Sequence, residues 1–81
     1  MPKPTDTAIL EAAEECLQHS STGTIGLRDV FYTLETRRRR YREPAQETTS
    51  LMQISRTLIA NGYELAELRP KSYSRYRKID Q

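Results

Sequence analysis

The sequence predicts a small α+β domain of three helices followed by a basic antiparallel β-hairpin, and three observations carry that prediction. Apolar residues recur at helical spacing in three separate stretches, the last of which stops at Asn61-Gly62. From Tyr63 to Ile79 the period falls towards two, with a turn expected at Pro70-Lys71-Ser72. The hairpin and the connection before the third helix are each rich in arginine, while the first helix is acidic.

The elements follow in order. Pro2 and Pro4 suggest an extended start. Thr5, Asp6 or Thr7 can cap the first helix, and Asp6 also suits the positive end of the helix dipole. Ile9, Ala12, Ala13, Cys16 and Leu17 form one apolar face, which predicts a helix from about Asp6 to His19. Ala12 and Ala13 permit close approach of a neighbouring helix. Ser20-Ser21-Thr22-Gly23 is a turn by composition, and Thr24-Ile25 reads as a short extended piece. Gly26 then precedes a second helix, from Leu27 to about Arg38. Leu27, Val30, Phe31 and Leu34 are expected inside, with Arg28, Asp29 and Thr33 outside.

Pro44 disfavours helix at Glu43, and Glu47, Thr48, Thr49 and Ser50 are alternative starts for the third helix. That helix is expected from about Ala45 or Thr48 to Asn61. Leu51, Ile54 and Leu58 make its buried stripe, flanked by Met52, Ser55 and Ile59; Thr49, Gln53, Arg56, Thr57 and Ala60 lie opposite. Gly62 suits a left-handed helix terminus because it has no Cβ to clash. In the hairpin, Tyr63, Leu65, Glu67 and Arg69 share one strand face and Glu64, Ala66 and Leu68 the other. Apolar residues fall on both, so a bulge or an irregular start is expected. If Tyr76 packs inward, Arg75 and Arg77 point out together.

A chain of 81 residues makes one domain, spanning 1–81, with a thin core. Its apolar runs are too short to span a bilayer, and Met1-Pro2-Lys3-Pro4 leads into a charged helix rather than the apolar region of a secretory signal. Cys16 is the only cysteine, so nothing suggests an oxidising compartment, and a cytoplasmic location is expected. Cys16 is expected to serve core packing. His19 is the only histidine and no Cys/His cluster surrounds it, so neither a metal nor another cofactor is expected. There is no P-loop, no Gly-rich cradle and no Ser/His/Asp set, so the chain is not expected to be an enzyme.

The net charge of +2 conceals its distribution. Asp6, Glu11, Glu14 and Glu15 mark the first helix. Arg37, Arg38, Arg39, Arg40 and Arg42 form one run without an acid, and Arg69, Lys71, Arg75, Arg77 and Lys78 form another. Two separated positive segments suggest a partner with concentrated negative charge.

The order helix, short strand, helix, helix, basic hairpin resembles that of winged helix-turn-helix domains. Met52 to Tyr63 resembles their recognition helix, especially that of the C-terminal winged helix of phage and plasmid primase-helicases. There a Leu-x-x-x-Gly-Tyr ending precedes an Arg-rich hairpin; here the ending is Leu58-Ile59-Ala60-Asn61-Gly62-Tyr63, and the hairpin is Arg69 to Lys78. The resemblance covers the second half of the chain well and the first helices in outline. It departs between Arg37 and Glu47, a connection long for a helix-turn-helix, where the second helix runs on through the arginines or a loop is inserted. No nucleotide-binding or catalytic motif of those helicases is present, so only a binding module carries over.

The resemblance implies that Thr24-Ile25 pairs with the hairpin as a third strand. It also implies double-stranded DNA binding, in a small transcription regulator or replication accessory of a mobile element. In that reading the third helix enters the major groove with Thr49, Gln53, Arg56 and Thr57 towards the bases, where arginine reads guanine and glutamine reads adenine. Arg69, Lys71, Arg75, Arg77 and Lys78 are then wing contacts to backbone or minor groove. The run Arg37 to Arg42 has the geometry for phosphate, or for RNA. The alternatives are a protein-interaction adaptor using the acidic first helix or exposed tyrosines, and an RNA-binding protein centred on that run.

Overall fold

The computed structural model describes residues 4–40 and 50–79. Helix α1 (Pro4–Gln18) leads through a turn to strand β1 (Thr24–Gly26), which runs directly into helix α2 (Leu27–Arg40). Helix α3 (Leu51–Ala60) is followed by β2 (Tyr63–Glu67), a single 3-10 turn (Pro70–Ser72) and β3 (Arg75–Lys78). The three strands form one antiparallel sheet in the order β1-β3-β2. The domain is thus α+β, and the short Thr24-Ile25 piece pairs with the hairpin as expected.

Local chemistry sets the element boundaries. α1 begins earlier than expected, because Pro4 is already helical; fixed φ and a missing N–H cost nothing in a first turn. Asp6 therefore lies inside the first turn instead of preceding it. α2 does run on through the arginines as far as Arg40. α3 starts at Leu51, later than Ala45 or Thr48. Ser50 is extended (φ −78°, ψ 155°) and its hydroxyl accepts from the Gln53 N–H at 3.1 Å, satisfying one of the unpaired donors of the first turn. Gly26 answers to a close approach: a Cβ there would stand 2.7 Å from the Asp29 carboxylate, which lies over the start of α2. Gly62 has φ +89°, so the chain turns out of α3 into β2 in the left-handed region, as its position in the sequence implies. The expected irregularity in the hairpin is a register shift between Leu65 and Glu67 opposite β3.

Ile9, Ala12 and Ala13 of α1, Ile25 of β1, Leu27, Val30 and Leu34 of α2, Ile54 and Leu58 of α3, and Tyr63 and Tyr76 of the sheet form one buried cluster. Cys16, Leu17, Phe31 and Leu51 pack half-buried around it. Among the described residues no helix is long and apolar enough to cross a membrane.

The Tyr63 hydroxyl is buried without a hydrogen-bond partner among the described residues, and burial pushes its phenol pKa up. An unsatisfied buried hydroxyl costs roughly 1–3 kcal/mol. Tyr63→Phe removes it and keeps the ring, so the denaturant midpoint should rise. A fall of similar size would mean that the hydroxyl is hydrogen-bonded in solution.

Candidate nucleic-acid interface

The outward face of α3 is narrower than the sequence suggests. Ile54, Thr57 and Leu58 are buried, Leu51, Gln53 and Ser55 are half-buried, and Met52, Arg56, Ile59 and Ala60 are exposed. Thr57 is a correction: the sequence puts it on the open face, but it is 7% exposed and its hydroxyl donates to Asp6 of α1 at 3.3 Å. The position follows from helical geometry, since residue 57 is three after Ile54 and adjacent to Leu58, within the buried arc. Arg56 is exposed and makes no hydrogen bond or ion pair among the described residues. Thr49 and Arg42 lie outside the described residues.

Met52 and Ile59, the expected flanks of the buried stripe, are 64% and 57% exposed. They share an edge of the helix with Ser55, at i, i+3 and i+7. Ser55 and the Tyr76 hydroxyl are hydrogen-bonded at 2.6 Å, which fixes that edge of α3 against the sheet. Tyr76 stands opposite Leu65 of β2, itself 46% exposed. Arg56 therefore sits beside an apolar edge that continues onto the hairpin.

The basic segments look different once folded. The sequence from Arg69 to Lys78 contains no acid, but β2 and α1 supply several. Arg77 pairs with Glu64 on the neighbouring strand, Arg69 pairs with Glu67 at 2.8 Å, and Lys78 approaches Glu14 at 3.7 Å. Exposed pairs of this kind contribute only ~0–1 kcal/mol, so a phosphate can replace the carboxylate at little cost. Arg75 holds the sheet together. Its Nε donates to Thr24 Oγ1 at 2.9 Å and its Nη2 to the Thr24 carbonyl at 3.1 Å, tying β3 to β1. Arg75 and Arg77 do lie on the face away from buried Tyr76, but each is engaged.

Arg37 bridges the two long helices, donating to Glu11 at 2.7 Å and Glu15 at 3.2 Å. Arg38, Arg39 and Arg40 form the end of α2, and their side chains lie outside the described structure. Arg37 is about 14 Å further along α2 than Arg28, at ~1.5 Å per residue, so this run and the hairpin tip occupy opposite ends of the helix.

The residue whose part the sequence conceals is Arg28. At the hairpin tip Lys71 adopts φ +58°, and its carbonyl accepts from Arg28 Nε at 3.1 Å and Nη2 at 2.8 Å. The same guanidinium lies 4.7 Å from the centre of the Tyr73 ring. By spacing alone Arg28 is an ordinary outward helix position, and nothing local announces a contact so distant in sequence. The Ser74 hydroxyl, bonded to both the N–H and the carbonyl of Arg69, closes the base of the tip.

A cleft of about 390 Å³ lies between the end of α1, β1 and α2 and is lined by Cys16, His19, Asp29 and Arg75 among others. Its chemistry is muted. Cys16 Sγ contacts Thr33 Oγ1 at 3.3 Å, and burial pushes its thiol pKa up, away from the reactive thiolate. Ser20, Thr22 and Thr24 bond to one another. Among the described residues no three His, Cys, Asp or Glu side chains gather to hold a metal ion. No protein-family model matches this chain, and no curated protein or solved structure matches it significantly.

Proposed function

We propose that this domain is a winged helix-turn-helix module that binds double-stranded DNA, with α3 in the major groove and the hairpin as a wing on the backbone. The observation that supports it best is Arg56, exposed and without a partner among the described residues, on a helix held directly beside the hairpin by the Ser55–Tyr76 bond. An α-helix with its side chains is about 10–12 Å across, which matches a major groove ~12 Å wide. Arg56 and half-buried Gln53 then face base edges. Arg28, Arg69, Lys71 and Arg75 gather at the wing tip for phosphate, and Arg77 and Lys78 join by exchanging their carboxylates. A role as transcription regulator or replication accessory of a mobile element, and a function without catalysis, belong to the same proposal and rest on the sequence.

The test is a duplex titration across salt concentrations. With about six phosphates neutralised by these cations, log K should fall with log salt at a slope near −5. A slope near −9 would mean that Arg38, Arg39, Arg40 and Arg42 also meet the backbone. Salt-insensitive binding, or none at low salt, removes the DNA reading.

One observation favours a protein-interaction adaptor instead. Met52, Ile59 and Leu65 expose apolar surface beside Arg56, and Leu68 is 80% exposed. If the adaptor reading holds, Ile59→Ser abolishes partner binding and duplex DNA is not bound at all. An arm with structured RNA in the same titration tests the arginine run as an RNA site.

A further inference from the structure

We infer that the cleft between the hairpin tip and the first turns of α2 takes one unpaired nucleotide, so that the domain prefers a duplex with a single-stranded overhang to a blunt one. This rests on the DNA reading above and specifies its substrate. The cleft measures about 180 Å³ and is lined by Arg28, Tyr32, Arg69, Tyr73 and Arg75, with Asp29 at its side. That is below the roughly 300–1,000 Å³ of small-molecule sites, so it admits a single ring system rather than a whole cofactor.

Its walls suit a base. Tyr32 and Tyr73 are 59% and 53% exposed, an unusual cost for two aromatic rings on one small cleft. Tyr32 lies one helical turn from Arg28 on the same face of α2, and its ring meets Phe31 edge-on at 5.7 Å, so it is steadied without being covered. Arg28 and Tyr73 already form a layered pair, and both guanidinium planes and aromatic rings are stacking surfaces for unpaired bases.

The polar groups set the orientation. Arg28 commits Nε and Nη2 to the Lys71 carbonyl, which leaves its Nη1 donors for a phosphate oxygen at the rim, beside Arg69 and Lys71. The Asp29 carboxylate only accepts, so it repels phosphate from the interior and suits the amino edge of a base. A base inside a duplex has its faces covered by its neighbours and must be unstacked at a cost, whereas an overhang offers one free.

Fluorescence anisotropy with a blunt duplex, the same duplex carrying a short overhang, and the single strand alone tests this. The overhang duplex should bind roughly 5- to 150-fold more tightly than the blunt one, the range expected for stacking one base. Tyr32→Ala and Tyr73→Ala should each shrink that ratio towards one, while Tyr73→Phe, which keeps the ring, preserves it. Tyr32 is exposed on a helix surface, so its alanine variant stays folded even if Tyr73→Ala loosens the tip. Equal affinity for blunt and overhang duplexes, with duplex binding and its salt slope intact, overturns this inference alone. A preference that survives both alanine variants also overturns it, and absence of any duplex binding overturns it together with the DNA reading.

Discussion

Leu58→Ala is expected to destabilise the domain by about 2–5 kcal/mol, the cost of lost burial plus the cavity left behind. Leu58 is fully buried, and α3 packs against both α1 and α2 there. A small domain holds only about 5 kcal/mol or somewhat more in reserve, so much of this variant should be unfolded without denaturant. Met52→Ala on the same helix, at a site 64% exposed, should stay within ~0.5 kcal/mol of the parent. Urea melts of the two variants read the orientation of α3 directly. If Leu58→Ala leaves the midpoint unchanged and Met52→Ala lowers it, α3 is docked by the opposite face.

Arg56→Ala is expected to cost ~1–3 kcal/mol of discrimination between a selected site and a scrambled duplex, by loss of a bidentate contact to guanine. Lys71→Ala should behave differently. It stands at the hairpin tip, where a point charge meets phosphate, so its loss should weaken both duplexes alike and reduce the salt slope by about one unit. Lys71 is a cleaner probe than Arg75, whose guanidinium holds Thr24 of β1, or Arg77, which is paired with Glu64. If Arg56→Ala weakens both duplexes equally while Lys71→Ala erases the preference, the wing reads the sequence and the roles are exchanged.

Local periodicity was legible in the sequence. Ile9, Ala12 and Ala13, then Val30 and Leu34, then Ile54 and Leu58 all recur at helical spacing, and all are buried. Gly62 and the mixed faces of β2 likewise signal a left-handed turn and a bulge that are present. The failures come where partners are distant in the chain. Thr57 is polar and reads as outward, yet Asp6 meets it across the core boundary. The hairpin reads as uniformly positive because Glu64, Glu67 and Glu14 lie outside the segment from Arg69 to Lys78. Strand register brings Glu64 to Arg77 and helix packing brings Glu14 to Lys78, whereas Glu67 meets Arg69 two residues along the same strand face. Arg28 is hidden for the same reason: its contacts with Lys71 and Tyr73 depend on β1 and β3 pairing Gly26 with Arg75.

The charge pattern also changes which residues matter. The arginine run stands out by density alone, but Arg37 is committed to Glu11 and Glu15, and the run ends α2 far from the hairpin tip. The smaller set around Arg28, Lys71 and Tyr73 has aromatic surface and a cleft. Charge density in a sequence measures attraction at long range, whereas a site needs donors that converge.

That α3 and the hairpin form one DNA-binding surface is tested most directly by mapping backbone amide shifts in ¹⁵N-labelled protein as a short duplex is added. The largest shifts should cluster on Gln53, Arg56 and Ala60 of α3 and on Lys71 and Tyr73 at the hairpin tip, with Glu11 and Glu15 of α1 unmoved. Shifts concentrated on α1, or a spectrum that does not respond to duplex DNA at low salt, would mean that this surface is not where DNA binds.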